Sequence, residues 1–164
     1  MIDVKQGPDL AYIASLVRVR AAAGVLFFDS DGRVLVVHPT YKDEWEIPGG
    51  SLEPDESPFM ACEREVKEEL GFSPRLGGLL CVDWVPPAPP WDGGLMFLFD
   101  GGTLTAEEIR GIRLRPQELD RFEFVAPSAL GELLVPRLAR RIMACLEVRG
   151  VGGAVYLEDG HACV

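Results

Sequence analysis

The stretch GGSLEPDESPFMACEREVKEELGF, residues 49–72, decides how this chain folds and concentrates its acidic residues. Seven carboxylates lie between Glu53 and Glu69, and within that interval only Arg64 and Lys67 oppose them. Carboxylates three or four residues apart on a helix repel one another and destabilise the helix by roughly 0.2–0.5 kcal/mol per pair. Such a run therefore needs either free access to water or a positively charged partner.

The same stretch carries the signals of a helix at Pro58–Leu70. Ser57 is a preferred N-cap residue, and the proline that follows occupies the first helical position, where its missing N–H costs nothing. Gly71 is a natural stop, because glycine readily adopts the left-handed conformation that closes a helix. The sequence therefore predicts where this acidic helix begins and ends.

A helical wheel at about 100° per residue separates two faces of the acidic helix. The predicted buried stripe consists of Phe59, Cys62, Val66 and Leu70. The adjacent arc holds the carboxylates Glu65, Glu68 and Glu69. Ala61 falls within that arc and should leave it sterically open. These carboxylates form either a solvated acidic face or an all-oxygen site, which suits Mg²⁺, Mn²⁺ or Ca²⁺ and not zinc.

Composition restricts the classes of function. With 164 residues the default is one domain with a real core, and 48% hydrophobic residues is ordinary for a globular protein. The net charge of −10 argues against binding a nucleic-acid polymer, which needs Lys and Arg to displace counterions. A small phosphorylated ligand remains compatible with this charge if a cation bridges the two negative partners.

Neither a membrane segment nor a secretory signal is expected. No apolar run approaches the roughly 20 residues of a membrane helix, and the start, MIDVKQGPDL, is polar. No two of the four cysteines are spaced as a C-x-x-C pair: Cys62, Cys81, Cys145 and Cys163. We therefore predict a cytoplasmic protein with reduced thiols and no membrane partner.

The remaining chain predicts strands with a few helices. A turn cluster at 29–32 joins strands 18–28 and 33–38 into a hairpin. Further strands are predicted at 44–47, where Pro48 and two glycines should end the strand, and at 76–85, 95–99, 109–114, 122–125 and 155–157. Helices are predicted at 128–134 and 137–148.

The non-alternating order of these elements predicts an α+β fold with a mixed sheet. No composition break divides residues 18–164, which we expect to form one domain. Residues 1–17 are predicted to be an N-terminal extension that pairs with another subunit in a homodimer. In the last helix, Arg140 and Arg141 are expected on a charged outer face.

The acidic stretch also fits a known signature, G-x5-E-x7-R-E-U-x-E-E-x-G-U, in which U is a bulky apolar residue. Every fixed position matches, from Gly50 and Glu56 through Arg64-Glu65-Val66 and Glu68-Glu69 to Gly71-Phe72. By this match the chain resembles the Nudix hydrolases. The resemblance implies a mixed β-sheet sandwiched between α-helices, with the signature forming a loop-helix-loop catalytic motif.

The resemblance also implies an activity. Most Nudix proteins hydrolyse a nucleoside diphosphate linked to another moiety X, and Mg²⁺ or Mn²⁺ neutralises the pyrophosphate oxygens. Position by position, Glu65 and Glu69 would be the main metal ligands, with the Gly50 carbonyl as a further ligand. Glu68 would be a third ligand or the base that activates water. Glu56 and Arg64 would form the pair that orients a carboxylate.

In many relatives a further acid on a later loop or strand joins the metals or acts as base. The candidates are Glu107, Glu108, Glu118 and Glu123. We favour Glu118 and Glu123, which lie close to the predicted strand 122–125. None of these four residues belongs to the signature, so their assignment depends on the tertiary structure.

Substrate choice lies outside the signature. Some relatives that cleave ADP-ribose carry a proline about sixteen residues beyond the last box glycine, and Pro86 and Pro87 lie 15 and 16 beyond Gly71. We predict ADP-ribose or a nucleotide sugar, with a nucleoside triphosphate or a catalytically silent nucleotide sensor as alternatives. Trp91 is a candidate for stacking on a base or sugar. Three other side chains are expected to be structural: Trp45 in the core, His38 and His161.

Overall fold

The computed structural model describes residue 7 and residues 9–163 of the chain. In that part, eight strands form one sheet: β1 (Arg20–Phe28), β2 (Val34–Pro39), β3 (Gly49–Ser51), β4 (Leu79–Val85), β5 (Gly94–Thr103), β6 (Leu119–Val125), β7 (Val155–Glu158) and β8 (His161–Ala162). The helices are α1 (Leu10–Ser15), α2 (Pro58–Leu70), α3 (Ala106–Gly111), α4 (Leu130–Leu133) and α5 (Pro136–Val148), with a 3-10 turn at Pro127–Ala129.

The sheet is mixed, as predicted. Its strand order is β6-β2-β1-β5-β4-β7-β8, and β3 pairs with the N-terminal half of β1. Strand β1 runs parallel to β5 and antiparallel to β2 and β3, and β4 runs parallel to β7. The nearly continuous apolar run of β1 suits this central place, because a central strand is covered on both faces.

The two faces of the sheet carry two cores. One core packs alternate β1 residues such as Val25 and Phe27 against α2, and the other packs Leu26 and Phe28 in the cluster that includes α5 residues such as Ile142. Adjacent strand residues point to opposite faces, so one strand contributes to both cores. The predicted α+β fold, a mixed sheet between helices, is confirmed.

Helix α2 has the predicted bounds. The Ser57 side chain accepts a hydrogen bond from the Met60 N–H at 3.2 Å, and Gly71 closes the helix at φ +80°. Two positions on the predicted wheel are wrong. Phe59 is 40% exposed and meets Phe99 edge-on instead of entering the core. Ala61, expected on the open acidic arc, is fully buried, because its small side chain lets α2 approach the sheet closely.

The predicted strand at 44–47 is reduced to two single bridges, Trp45 with Leu134 and Glu46 with Val37. The predicted stop after Pro48 is instead a strand, because Gly49–Ser51 form β3 against β1. The prediction was wrong here because it treated glycines only as strand breakers, whereas their missing side chains permit this close pairing.

The predicted strand at 109–114 is also wrong, since Ala106–Gly111 form helix α3. The Glu108 carboxylate accepts the Thr105 N–H at 2.8 Å, and Thr105 Oγ1 accepts the Glu108 N–H at 3.2 Å. This reciprocal capping box starts a helix, and the sequence pattern T-x-x-E is its recognisable signature. The predicted helix at 128–134 is divided between the 3-10 turn and α4.

The hairpin of β1 and β2 and the helix α5 are confirmed, and Trp45 lies in the core as predicted. The four cysteines are free thiols. The predicted terminal strand is present as β7 and continues into β8. On α5, however, Arg141 is buried, so its predicted place on an outer charged face is wrong.

Helix α1 is short, and all its residues are exposed. Residues 1–6 and 8 of the predicted extension lie outside the described residues, so subunit pairing through this segment stays a prediction. Among the described residues, no helix has the length and hydropathy needed to span a membrane.

Candidate active site

Two glycines bring α2 against the sheet. Gly49 has φ +143°, and a side chain there would lie 2.5 Å from the Cα atom of Gly24. A side chain at Gly50 would lie 2.5 Å from the Cδ atom of Glu65. Position 49 therefore requires glycine for the pairing of β3 with β1, whereas a side chain at position 50 would displace the Glu65 carboxylate from its close approach to the strand backbone.

Arg64 ties the loop before α2 to the helix. Its Nε and Nη2 atoms bind the two carboxylate oxygens of Glu56 at 2.9 and 3.0 Å. The Nη2 atom also donates to the Ser51 carbonyl oxygen at 3.1 Å, and Nη1 donates to Glu65 Oε1 at 2.9 Å. The bond from Arg64 holds the pKa of the Glu56 carboxyl below its usual value. This bidentate pair fixes the orientation of Glu65 from the side of β3.

Glu69 is the most buried carboxylate of α2, with a relative exposure of 9%. Its Oε2 atom accepts the Gly49 N–H at 2.9 Å. Its pKa is raised to about 8, chiefly by burial and in addition by the charges of Glu65, Glu118 and Glu46, against the opposing effect of that N–H. A carboxylate in these surroundings is stable only when it is protonated or neutralised by a cation.

Glu65 is in a similar position but has a partner. Burial raises its pKa above the ordinary value, although the hydrogen bond and charge of Arg64 act in the opposite direction. The negative charges of Glu68 and Glu118 add to the increase. Two carboxylates one helical turn apart, Glu65 and Glu69, are therefore both held in an environment that disfavours negative charge.

Glu68 is 42% exposed and lies beside Glu65, since its Oε1 atom is 3.9 Å from Arg64 Nη1, which also binds Glu65. Its Oε2 atom accepts a hydrogen bond from Arg115 Nη1 at 3.1 Å, and the same Nη1 atom lies 3.1 Å from Glu118 Oε1. Arg115 thus joins a carboxylate of α2 to the acid that precedes β6. Since Thr40 N–H donates to the Glu118 carbonyl oxygen at 2.8 Å, the backbone at this acid is also fixed to the end of β2.

A cavity of about 560 Å³ opens beside these groups. The acidic residues that line it are Glu46, Glu65, Glu69 and Glu118, and the basic ones are Arg20, Lys42, Arg137 and Arg141. The remaining lining includes the glycines of β3, the starts of β1, β5 and α5, and residues of β2 and of the segment that follows it, among them Tyr41 and Pro48. The cavity thus connects the carboxylates of α2 with α5 on the opposite face of the sheet.

A model of the NUDIX domain matches residues 18–145, which is most of the chain. The chain belongs to the NUDIX family. Among relatives, diphosphoinositol polyphosphate phosphohydrolase 2 of Homo sapiens is 37% identical over 83 residues, which are 50% of this chain and 46% of that protein. The chain thus spans about half the length of the relatives it matches.

Solved structures share the fold. The MutT protein from Methanosarcina mazei Go1 superposes with a TM-score of 0.66 and 23% identity over 82% of this chain and 99% of that one. A UDP-X diphosphatase superposes with a TM-score of 0.69 and 19% identity over 92% of this chain and 76% of that one. At these identities the similarity concerns the fold alone, and the predicted Nudix fold is confirmed.

Nudix hydrolases generally use divalent metal ions, so we asked whether the residues present suit one. Within the described part of the chain, no three acidic, histidine or cysteine side chains form a ready ligand group as placed. Two of the carboxylates are hydrogen-bonded to guanidinium groups, Glu65 to Arg64 and Glu68 to Arg115. The donors nevertheless fit a hard cation, because they are oxygens, half-buried Glu65 and buried Glu69 have raised pKa values, and the Gly50 backbone lies close to the Glu65 carboxylate.

The structure brings some of the predicted site residues together and leaves others apart. Glu65, Glu69, Gly50 and Glu118 line the cavity, whereas Glu56, Arg64 and Glu68 stand behind or beside it. Glu123 is exposed within β6 and does not line the cavity. Glu108 is used in the cap of α3, and Glu107 is exposed on the same helix.

Trp91 does not reach the cavity lining either. It is 62% exposed, and its ring lies 5.0 Å from the guanidinium carbon of Arg20. Its role in substrate binding stays a prediction. His38 makes a structural contact, because its Nδ1 atom lies 2.8 Å from Asp120 Oδ1.

Sequence reasoning missed Glu46, Lys42 and Arg141 as lining residues. The first two form an ion pair in a loop with no recognisable pattern. Arg141 did carry a signal, because it follows Leu138 by three residues and precedes Cys145 by four, the spacing of one helix face. That face is buried, so the arginine on it needed a buried acidic partner.

Proposed function

We propose that this chain is a metal-dependent pyrophosphohydrolase that cleaves a nucleoside diphosphate linked to a moiety X, with ADP-ribose or a nucleotide sugar as the favoured class. The observation that carries this proposal is the pair of half-buried Glu65 and buried Glu69, beside the glycines of β3 with raised pKa values, in one cavity with Glu118. Such a group of carboxylates is stabilised by positive charge, which a divalent cation supplies when it binds together with a pyrophosphate.

The residues that would hold Mg²⁺ or Mn²⁺ are Glu65 and Glu69, with the Gly50 carbonyl and Glu68 as further ligands. When bound, the ion would neutralise the pyrophosphate oxygens and lower the pKa of a water molecule. Because Arg64 and Arg115 now hold Glu65 and Glu68, binding requires these carboxylates to exchange a guanidinium partner for the ion.

The protein's own groups would orient these ligands and receive the proton of the attacking water. Arg64 stays bound to Glu56 through two bonds while it adjusts its contact with Glu65, so the loop and the helix keep their relative position. Glu118 lines the cavity and Glu68 does not, so we assign the role of proton acceptor to Glu118. Arg115, which also binds Glu68, would hold Glu118 in position.

The cavity suits a nucleotide-type substrate. Its volume of about 560 Å³ lies within the range of about 300–1,000 Å³ that is usual for small-molecule sites. The lining is small and apolar along most of β1 and acidic at the α2 end, which matches a molecule with an uncharged part and a cation-bound pyrophosphate. A catalytically silent sensor is disfavoured, because all the carboxylates of the signature are retained.

The human relative's name raises a second candidate, a diphosphoinositol polyphosphate. Three basic residues of the cavity favour it: Arg20, Lys42 and Arg137. However, Lys42 pairs with Glu46 and Arg137 pairs with Asp159, so little positive charge is left for a molecule with many phosphates. The net charge of −10 acts in the same direction.

The test is a hydrolysis panel with identified products. It contains ADP-ribose, nucleotide sugars, nucleoside triphosphates and a diphosphoinositol polyphosphate, each with Mg²⁺, Mn²⁺ or chelator. We expect cleavage of the phosphoric anhydride, metal dependence, and loss of turnover in Glu69→Gln. The matched control is Glu63→Gln, which removes one charge from an exposed position of the same helix. Full turnover in chelator, or no cleavage of any member, contradicts the proposal.

A further inference from the structure

Arg141 and Asp83 form a buried ion pair that the proposed chemistry does not use. The Nε atom of Arg141 lies 2.6 Å from Asp83 Oδ2, and the two side chains are 5% and 0% exposed. The other oxygen of Asp83 accepts the Gly160 N–H at 3.1 Å. Both oxygens of the aspartate are therefore occupied, and the pair as a whole is neutral.

The two Nη groups of Arg141 make no hydrogen bond to the described residues. The one bond from its guanidinium in this part of the chain is the bond from Nε to Asp83. Arg140 Nε is the one buried side-chain nitrogen or oxygen without a partner in this part of the chain. The Nη groups of Arg141 are therefore not sealed from solvent, and since this residue lines the cavity, the solvent they meet is that of the cavity.

The surroundings restrict what these donors can bind. The lining of the cavity includes small or apolar residues, Ala22, Gly24, Val85, Gly94, Met96 and Leu138, and two further arginines, Arg20 and Arg137. Arg137 pairs with Asp159, and Asp83 already neutralises Arg141, so Arg141 itself offers no net charge to a phosphate. It offers instead a planar set of N–H donors between apolar walls, which suits an uncharged planar group that carries acceptors.

We propose that Arg141 is the specificity-determining residue of this cavity and that it recognises the O6 and N7 atoms of a guanine base through its Nη groups. This inference rests on the proposed function, which places the pyrophosphate beside Glu65 and Glu69, and within that function it selects a guanosine diphosphate sugar over ADP-ribose. A guanidinium fork fits the adjacent O6 and N7 acceptors of guanine in two parallel hydrogen bonds. Asp83 holds the fork through Nε and thereby keeps its orientation.

Other bases present a less suitable edge. Adenine places its N6 amino group beside N7, so a donor would face a donor. Uracil offers one acceptor, O4, on the edge away from the sugar. Cytosine has adjacent O2 and N3 acceptors, but O2 lies beside the sugar and does not reach the far end of the cavity. The set of donors at Arg141, with no free acceptor on Asp83, therefore selects the oxopurine.

The experiment compares GDP-glucose, ADP-glucose, UDP-glucose and CDP-glucose, which differ only in the base. We expect kcat/KM for GDP-glucose to exceed that for ADP-glucose by roughly tenfold or more, the discrimination usual for one bidentate pair. In Arg141→Lys the ammonium can retain Asp83 but cannot form the fork, so the ratio should fall to about one. The matched control is Arg149→Lys, because Arg149 pairs with Asp100 outside the cavity lining and its loss should leave the ratio unchanged.

Binding of GMP and AMP to the parent protein, measured by calorimetry, separates the two proposals. Tighter binding of GMP with no hydrolysis of any member of the substrate panel would support the role of Arg141 and contradict the proposed function. Hydrolysis without preference for guanine, or with another base preferred, would overturn the role of Arg141 and leave the proposed function intact. The GMP and AMP comparison also decides the matter if Arg141→Lys fails to fold.

Discussion

The substitution Glu69→Gln tests whether the buried carboxylates exist to hold a cation. Glu69 has a pKa of about 8 in the folded protein, against 4.5 for a free glutamate. The folded state therefore binds its proton more tightly than the unfolded state does. Between these two pKa values the metal-free protein loses stability as the pH rises, because folding then requires burial of a charge or uptake of a proton.

The magnitude follows from the two pKa values. Each pH unit between them corresponds to about 1.4 kcal/mol of unfolding free energy. The expected loss is about 1 kcal/mol at pH 5, about 3 at pH 7 and about 5 at pH 9. A domain of ordinary stability has about 5–15 kcal/mol in total, so this loss is easily measured.

Glutamine removes the charge and retains an oxygen that can accept the Gly49 N–H. The unfolding free energy of Glu69→Gln should therefore lack this dependence on pH. Metal-free, the variant should exceed the parent by a margin that grows from pH 5 to pH 9. Mg²⁺ at about a thousand times its dissociation constant should reverse the order at pH 7, because an ion that binds only the folded parent then stabilises it by about 4.1 kcal/mol, which exceeds the margin of about 3 kcal/mol.

The assay is urea denaturation of both proteins at these pH values, with chelator and then with Mg²⁺. Glu63→Gln serves as the control for loss of one exposed charge on α2. If the unfolding free energies of the parent and Glu69→Gln differ by a constant amount across the pH range and respond equally to Mg²⁺, Glu69 does not serve to bind a cation.

Three further predictions concern the groups around Glu65. In Arg64→Ala the loss of the two bonds to Glu56 should lower turnover or metal affinity by about tenfold to a hundredfold, and unchanged kinetics would remove Arg64 from the site. Gly50→Ala should weaken Mg²⁺ binding by displacing the Glu65 carboxylate while the melting temperature changes little; equal metal affinity in a titration would contradict this. Glu118→Gln should lower kcat more than it lowers metal affinity, and the opposite ratio in steady-state kinetics would make it a ligand and not the base.

Local signals in the sequence were sufficient for α2, for the β1–β2 hairpin and for α5. The Ser57-Pro58 start and the Gly71 stop act within one or two turns, so the residues that decide the helix lie next to it. The family signature occupies the same short stretch. The strand prediction at 109–114 failed although its capping box was equally local, because the apolar residues were given more weight than the pattern at Thr105.

Contacts between distant segments decided the rest. By itself the sequence determined that seven carboxylates are gathered around one helix, and tertiary packing decided that Glu69 is buried against Gly49 while Glu68 turns to Arg115. The pairing of Arg141 with Asp83 joins residues 58 positions apart. A local pattern states which residues share a face of a helix, but burial and pKa depend on what the remaining chain packs against that face, and this is determined only when the sheet assembles.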